Sequence, residues 1–444
     1  MLTDVVVGGG FAGLALATEL AAAGRQVTLL ERRAFLGGRA FSFTDRTTGT
    51  TVDNGQHLMM GCYHATLAFL SRIGSTSKLK RIPDSRVEFV REGGATSTFR
   101  CPPLPAPLHL LGGLCSLDTI GWNDRLAALR LALKLRNLNG TRRELECETV
   151  RQWLNRLRQP ERLQARFWDP LALATINESP DRASADVFAE VIKEAFLGSR
   201  EDSTLILSRV GLSDLYTEDA RAFVEDRGGT IRLNAAVSSI EFDGRQATGV
   251  VLHNGERLPV RTLTCAIPPS ALLSVLTPEL IAEHESLAGL RKIGTSPIVS
   301  INLWFDGEIT EIEFAGMVDS RIEWMFNKNR ITGQTGSLQQ LALVMSGAHE
   351  AAKLKREDLI ELALSEVKRF FPASRGIPLS HAHVVRERDA TISHLPGVSS
   401  LRPPNETPFS NFYIAGDWTA TGLPATIESA VRSGHACARL ITAS

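Results

Sequence analysis

The chain opens on a short apolar run, Val5-Val6-Val7, which breaks into Gly8-Gly9-Gly10-Phe11-Ala12-Gly13 and then into a longer apolar stretch, Leu14 to Ala23. β-Branched residues bounded by glycines predict a buried strand, and the longer run predicts a helix whose N-terminus faces the turn. A second strand, Val27-Thr28-Leu29-Leu30, follows and ends on Glu31. Further along, the segment Asp226 to Ile240 alternates and predicts a strand followed by a second short strand. Gly249 to Leu252 and Leu263 to Ile267 predict two more, with Asn254-Gly255 as a hairpin turn between them. Ser296 to Phe305 reads as a strand, and Ser184 to Leu197 and Arg356 to Phe371 read as helices.

Strand, glycine turn, helix, strand and acid arrive within about 30 residues, the spacing of one βαβ unit that binds a dinucleotide. Each glycine has its own physical task. A side chain at Gly8 would obstruct the turn, at Gly10 it would hold the backbone away from a pyrophosphate, and at Gly13 it would force helix and strand apart. Backbone N–H groups of this turn, Ala12 included, and the helix dipole then hold the diphosphate, while Glu31 accepts hydrogen bonds from ribose hydroxyls. Such a turn alone is a weak signal, because an ordinary strand-turn-helix needs no ligand; the ordered context carries the reading. The loop Arg32-Arg33-Ala34-Phe35-Leu36-Gly37-Gly38-Arg39-Ala40 points to FAD over a nicotinamide cofactor. Gly37 and Gly38 permit close backbone approach to a flavin diphosphate, and Arg39 can lie beside the isoalloxazine, its plain alternative being a surface charge. Arg32, Gly38, Arg39 and, further on, Gly55 therefore join the expected cofactor contacts.

The C-terminal segments Asn411-Phe412-Tyr413-Ile414-Ala415-Gly416-Asp417-Trp418 and Gly422 to Gly434 resemble the flavin amine oxidase and carotenoid desaturase superfamily. The resemblance implies that Gly416 and Asp417 end a strand, that Asp417 binds the ribityl chain, and that a helix beginning around Thr426 and Ile427 aims its N-terminus at the flavin pyrimidine. A helix N-terminus there stabilises the negative charge of reduced flavin. The resemblance also implies that Val237 pairs its backbone with the adenine edge.

Composition narrows this picture little. A chain of 444 residues with 43% hydrophobic residues can bury a large core in two lobes. Lys plus Arg and Asp plus Glu number 49 each, so the formal charge is zero and nothing suggests nucleic-acid binding. The six cysteines are scattered without a CxxC pair or a nearby histidine cluster, as reduced cytosolic thiols would be, and indicate neither disulfides nor a metal site. The apolar start is claimed by the cofactor turn and is not read as a signal peptide. The 17 residues Cys101 to Leu117 carry no Asp, Glu, Lys or Arg, yet Pro102, Pro103, Pro105, Pro107, Gly112 and Gly113 forbid a spanning helix, which needs roughly 20 apolar residues. Arg125 to Arg136 follows as a leucine-rich helix with Leu126, Leu129 and Leu133 on one face and Leu131 and Leu135 elsewhere. Arg130 and Lys134, one turn apart, could meet lipid phosphates, and a helix packed within the substrate lobe is the bland alternative.

Val52-Asp53-Asn54-Gly55-Gln56-His57-Leu58-Met59-Met60-Gly61-Cys62-Tyr63-His64, with Leu104-Pro105-Ala106-Pro107-Leu108 and Gly416-Asp417-Trp418, looks like the squalene-associated FAD-dependent desaturase subgroup, whose members are hydroxysqualene dehydroxylases of hopanoid-producing bacteria. The resemblance covers nearly the whole chain. It implies reduction of hydroxysqualene to squalene with reduced FAD as hydride source, a hydrophobic C30 isoprenoid substrate, peripheral contact with the inner face of the cytoplasmic membrane, and contact with the preceding enzymes of squalene synthesis. An allylic alcohol, once protonated, loses water to give a delocalised cation, so the protein must supply an acid and a dry channel. Residues 101–138, 167–176 and 296–326 are expected to line that channel. His57 is the first choice of acid because imidazole titrates near neutrality, against the equal claim that it is a structural hydrogen-bonder. Water held by Arg39 is the alternative donor; Asp53 is expected to fix the turn and His64 to belong to a helix.

Three rivals share these motifs. An amine oxidase of the superfamily places a lysine on the substrate-domain strand, but Ser296 to Phe305 has none and Lys292 lies outside it, and only three tyrosines are present. Tyr413 and Trp418 keep an aromatic amine cage open. A polyene desaturase would use the same apolar channel, and a non-redox isoprenoid carrier of this fold would lack the flavin contacts found at both ends. The expected architecture is α/β: a doubly wound FAD-binding domain of Rossmann type (1–75, 205–270 and 385–444) interleaved with an α+β substrate domain (76–204 and 271–384).

Overall fold

The computed structural model describes residues 2–106, 108–118, 120–136, 142–244 and 246–443. Pro107, Thr119 and residues 137–138 of the expected channel wall lie outside them.

Strand β1 (Thr3–Val7) is the centre of a parallel layer. It pairs with β2 (Val27–Leu30) on one side, Val5 opposite Thr28, and with strand Arg257–Cys265 on the other, Val5 opposite Leu263. Thr230–Arg232 extends the layer beyond β2, and Phe412–Ile414 pairs with the far edge of Arg257–Cys265. Residues from the start, middle and end of the chain thus form one sheet. Both faces are covered, which is why Val5, Val6 and Val7 of β1 are all apolar. Val6 packs among Leu14, Tyr216 and Val431 on one side, and Val5 and Val7 pack among Leu263, Leu272 and Leu287 on the other. The first half of Arg257–Cys265 leaves the parallel layer and pairs antiparallel with Gln246–Leu252, which pairs with Val237–Asp243. Gly255, at φ +86°, makes the turn expected at Asn254-Gly255.

Helix α1 spans Phe11–Ala22, beginning three residues before the expected start at Leu14. Gly10 flanks it in an extended conformation, so Phe11, Ala12 and Gly13 form the first turn. The C-terminal helix Ile427–Ala443 crosses α1 where a Cβ on Gly434 would lie 2.4 Å from the carbonyl oxygen of Ala12. Only glycine permits backbones to approach that closely.

The second sheet runs in the order Leu379–Ile392, Thr295–Phe305, Gln339–Met345, Trp324–Asn327, Phe314–Met317, Val87–Val90, Thr96–Phe99. Leu379–Ile392 is one strand paired along Thr295–Phe305, so the boundary expected at residue 385 falls inside a continuous ladder. Helices between residues 108 and 197 pack over this sheet around Trp153, Trp168 and Phe188. The segment 184–197 is an α-helix, Ala185–Ile192, that widens into a π-helical turn, Lys193–Leu197. The hairpin β3 (Ser42–Thr44) and β4 (Thr51–Asp53) and helix α2 (His64–Arg72) connect the two layers.

Candidate active site

The glycine turn is tightly determined. Gly8 sits at φ +111°, a Cβ there would lie 2.4 Å from the Ala266 carbonyl oxygen, and a Cβ on Gly13 would lie 1.9 Å from the carbonyl oxygen of Gly8. Gly10 differs: a Cβ would meet the Cα of Gly38 at 3.7 Å and the Gly37 carbonyl oxygen at 3.9 Å, both ordinary contacts, so nothing within the chain itself demands glycine there. Space in front of Gly10 that a side chain would fill is what a diphosphate requires. The N–H groups of the first turn of α1 have no acceptor within the helix and are the donors for it. Glu31 is buried at the end of β2, accepting from the Gly9 N–H at 2.8 Å and the Arg33 N–H at 2.9 Å. Ala235 N–H donates to the Glu31 carbonyl and Asn234 N–H to that of Arg33, bringing the segment leading into Val237 beside the acid.

The basic loop folds back on this turn. Gly37 N–H donates to the Gly9 carbonyl, and Gly38, at φ +59°, lies against Gly10. Arg33 donates to the Gly38 carbonyl at 2.8 Å, whereas Arg32 is exposed; the arginine that organises the loop is the neighbour of the one expected. Arg39 reaches the other end of the chain, donating to Asp417 Oδ1 at 2.6 Å and to the Ala390 carbonyl at 3.0 Å. Burial works against the Arg39 charge, but Asp417, backed by Glu387 and Asp389, outweighs it and raises its pKa. Asn54 ties the next loop in, donating to the Arg39 carbonyl and to Glu387, both at 2.9 Å. Gly55 follows at φ +88° with open space around it.

At the C-terminal end, Gly416 follows strand Phe412–Ile414, and a Cβ on it would strike the Trp418 indole at 2.4 Å. Thr426 caps the C-terminal helix, its Oγ1 accepting from the Ser429 N–H at 3.2 Å, so the first turn beginning at Ile427 faces outward as a donor surface. Two buried side chains absent from the sequence reading hold this loop. Arg402 donates to the carbonyls of Asp417 (2.8 Å) and Leu423 (2.5 Å). His394 accepts the Ala425 N–H at 2.7 Å, which requires a neutral ring, and burial together with the Arg402 charge pushes its pKa well below the ordinary value. No local motif marks either residue; their partners lie 15 to 31 positions away.

His57 is partly buried beyond Gly55. Burial lowers its pKa, Asp53 opposes this and Arg39 adds to it, which places the ring near both groups and favours its neutral form. Asp53 does fix the turn, accepting from the Leu212 N–H at 3.0 Å, but it also forms a buried ion pair with Lys328 at 2.6 Å. Lys328 Nζ donates to Gln56 Oε1 at 2.9 Å as well. This lysine, two strands across the sheet from Thr295–Phe305, was not legible as a site residue, while Lys292 is exposed. His64 begins α2 and pairs with Asp202 at 3.0 Å. Tyr413 and Trp418 are both buried, the indole donating to the Ile267 carbonyl, so neither is free to wall an amine cage.

One crevice adjoins the site, lined by Met60, Tyr63, Thr175, Leu423, Thr426 and Glu428, at the start of the C-terminal helix. A second, apolar, is lined by residues including Leu110, Leu114, Leu129, Phe167 and Phe196. They share the π-helical turn as a wall, Ala195 facing the first and Phe196 and Leu197 the second. Segments 101–138 and 167–176 contribute as expected, but 296–326 contributes to neither crevice among the described residues. Cys62 lines the first crevice as an inert thiol, burial with Glu428, Asp202 and Glu194 pushing its pKa up to about 12.

A Rossmann-type layer whose glycine turn carries a basic loop tied by Arg39 to an acid from the opposite end of the chain is the frame of an FAD-dependent oxidoreductase. Residues 11–442 match the model of the flavin containing amine oxidoreductases, and the chain belongs to that family. It is 29% identical over 442 residues to the hydroxysqualene dehydroxylase of Rhodopseudomonas palustris, covering 99% of this chain and 98% of that protein. It is 26% identical over 466 residues to the 15-cis-phytoene desaturase of an Oncidium hybrid cultivar, covering 99% and 78%. Among solved structures, an oxidoreductase from Methanosarcina mazei superposes with a TM-score of 0.74 at 16% identity, covering 98% of this chain and 99% of that one.

Proposed function

We propose that the protein reduces hydroxysqualene to squalene. The observation that carries this reading is the pair of crevices on either side of the π-helical turn: one lies at the capped start of the C-terminal helix, and the other is walled by leucine and phenylalanine. A long hydrocarbon with one hydroxyl matches that division, and the full-length similarity to hydroxysqualene dehydroxylases supports it. When bound, reduced FAD supplies a hydride. The chain's own residues do the rest. Gly8, Gly10, Ala12 and Gly13 cradle the diphosphate, Glu31 and the segment at Val237 hold the adenosine part, and Gly38, Gly55, Gly416, Asp417, Thr426 and Ile427 surround the flavin half. Arg32, exposed in the structure, is the weakest member of the expected set. The apolar walls exclude water while a proton reaches the hydroxyl, water departs, and hydride adds to the allylic carbon. We assign the proton to His57, whose charge is opposed by burial and Arg39 and favoured by Asp53.

The cofactor part comprises 1–75, 205–270 and the chain beyond Ile392; the substrate part comprises 76–204 and 271–392, which keeps the second sheet whole. A substrate this insoluble is drawn from lipid or handed over by the preceding enzyme of squalene synthesis, which forms hydroxysqualene, and the exposed leucines of residues 104–133 support contact with a membrane surface. Among the described residues no helix is long and apolar enough to cross a membrane.

Anaerobic single turnover of the reduced protein with hydroxysqualene tests the reading, with product identified by mass. Squalene should form with reoxidation of the flavin. Because the lowered pKa leaves His57 mostly neutral at pH 7, the rate should rise as pH falls, and His57→Ala should be slow and pH-insensitive with flavin still bound. Polyene desaturation without squalene formation would transfer the protein to the desaturases, and protein purified without flavin would favour a carrier.

A further inference from the structure

Far from the cysteines, the structure gathers three side chains with metal-binding donors. Asp45 ends the β3 side of the β3–β4 hairpin, and His381 and His383 lie two residues apart on strand Leu379–Ile392, so both imidazoles project from the same face. His381 Nε2 lies 3.3 Å and His383 Nδ1 3.2 Å from the same oxygen, Asp45 Oδ2. The donor atoms of all three lie within 4.8 Å of one another. We propose that Asp45, His381 and His383 form a binding site for a divalent ion of the zinc class.

Four observations support it. The separations are long for an imidazolium–carboxylate hydrogen bond, normally about 2.7–2.9 Å. They match the edge of a tetrahedron around an ion with bonds of about 2.0–2.1 Å, which is roughly 3.3–3.4 Å. The other carboxylate oxygen is fully committed, since Asp45 Oδ1 accepts from the N–H groups of Thr47 (3.0 Å) and Thr48 (2.9 Å) and from Thr48 Oγ1. That leaves Oδ2 aimed at the histidines with its orientation fixed, as ligands in built sites are. The rings are braced from outside, Trp304 against His381 at 5.0 Å and Phe43 against His383 at 5.3 Å between centroids. Two imidazoles and a carboxylate suit a borderline ion better than magnesium or calcium, which take all-oxygen sets.

The position gives such an ion a structural consequence. It would clamp the β3–β4 hairpin, which leads into Asn54, to the strand that supplies Glu387 and the Ala390 carbonyl, the partners of Asn54 and Arg39. A bound ion therefore stiffens the frame around Arg39 without touching the cofactor or substrate.

The test uses tag-free, flavin-loaded protein stripped with chelator and titrated calorimetrically with zinc chloride, with melting temperature and flavin release followed in parallel. We expect one equivalent bound, a higher melting temperature and slower flavin release, none of them with magnesium chloride. His381→Ala/His383→Ala should weaken zinc binding by more than the roughly 10- to 100-fold lost when only a ligand's supporting partner is changed. His383→Asn, a smaller change, should weaken it in the same direction while leaving secondary structure and flavin content intact. Absence of stoichiometric zinc in the wild type, or equal binding by His383→Asn and the wild type, overturns the proposal; the second result marks an adventitious ion only.

Discussion

Lys328 illustrates what a single residue can hide. Its side chain is 3% exposed and that of Asp53 4%, so neither charge is solvated and each depends on the other, on Gln56 and on the Leu212 N–H. Removing one partner of such a pair leaves an uncompensated buried charge, at a cost of about 3–5 kcal/mol. Lys328→Met should therefore destabilise the protein by that order in a denaturant titration, and adding Asp53→Asn should recover part of the loss. A Lys328→Met protein within about 1 kcal/mol of wild type would instead make this an exposed-type pair. The glycines and Glu31 were readable because their partners sit within one βαβ unit. Lys328 was not, because Asp53 lies 275 positions away and no local motif surrounds it. The same distance hid the Asp45, His381 and His383 cluster: attention to cysteines and to local spacing misses a site built from a hairpin and a strand 336 positions apart.

Among elements, those defined by local chemistry were legible and those defined by crossing geometry were not. β1, β2, the Asn254-Gly255 hairpin and the C-terminal helix follow from apolar runs, glycine turns and the family motif. The early start of α1 and the length of Leu379–Ile392 depend on neighbours: the first on how tightly Gly13 packs over Gly8, the second on its ladder with Thr295–Phe305. Gly434 belongs to this second group. It sits where the first and last helices cross, and an added side chain must displace the backbone of Ala12. Gly434→Val should cost about 1–3 kcal/mol and reduce flavin occupancy on purification, since both helices begin at the residues proposed to hold the cofactor. Gly336→Ala, where a Cβ meets nothing within 4 Å, is the control and should stay within about 0.5 kcal/mol of wild type. Equal flavin content in Gly434→Val and the control would show that the crossing does not govern the site.

For the whole molecule, the distribution of apolar surface joins the crevice to its surroundings. Leu104, Leu108, Trp122, Leu126 and Leu133 are five of the eight large hydrophobic side chains exposed among the described residues, and Trp122 is 71% exposed. Leu104 precedes helix Leu108–Ser116, and the other four rise from that helix and from Trp122–Arg136, whose other residues, Leu110, Leu114 and Leu129, line the apolar crevice. The leucine-rich helix that looked untidy by periodicity is thus divided three ways: Leu131 and Leu135 into the core, Leu129 into the crevice, Leu126 and Leu133 outward. Arg125 stacks on Trp122 at 4.8 Å, and Arg130 and Lys134 stand exposed beside them, giving the patch the mixed apolar and basic character that favours an anionic lipid surface. Insertion of a leucine or tryptophan side chain contributes roughly 1.5–3 kcal/mol, so three of them dominate binding. Trp122→Glu/Leu126→Glu/Leu133→Glu should lose sedimentation with anionic phosphatidylglycerol vesicles by at least about tenfold. It should also slow turnover of hydroxysqualene carried in those vesicles while leaving turnover of detergent-dispersed substrate unchanged, because none of the three lines the crevice. If both substrate forms slowed equally, the patch would be supporting the fold of the crevice; if neither slowed, substrate would enter elsewhere.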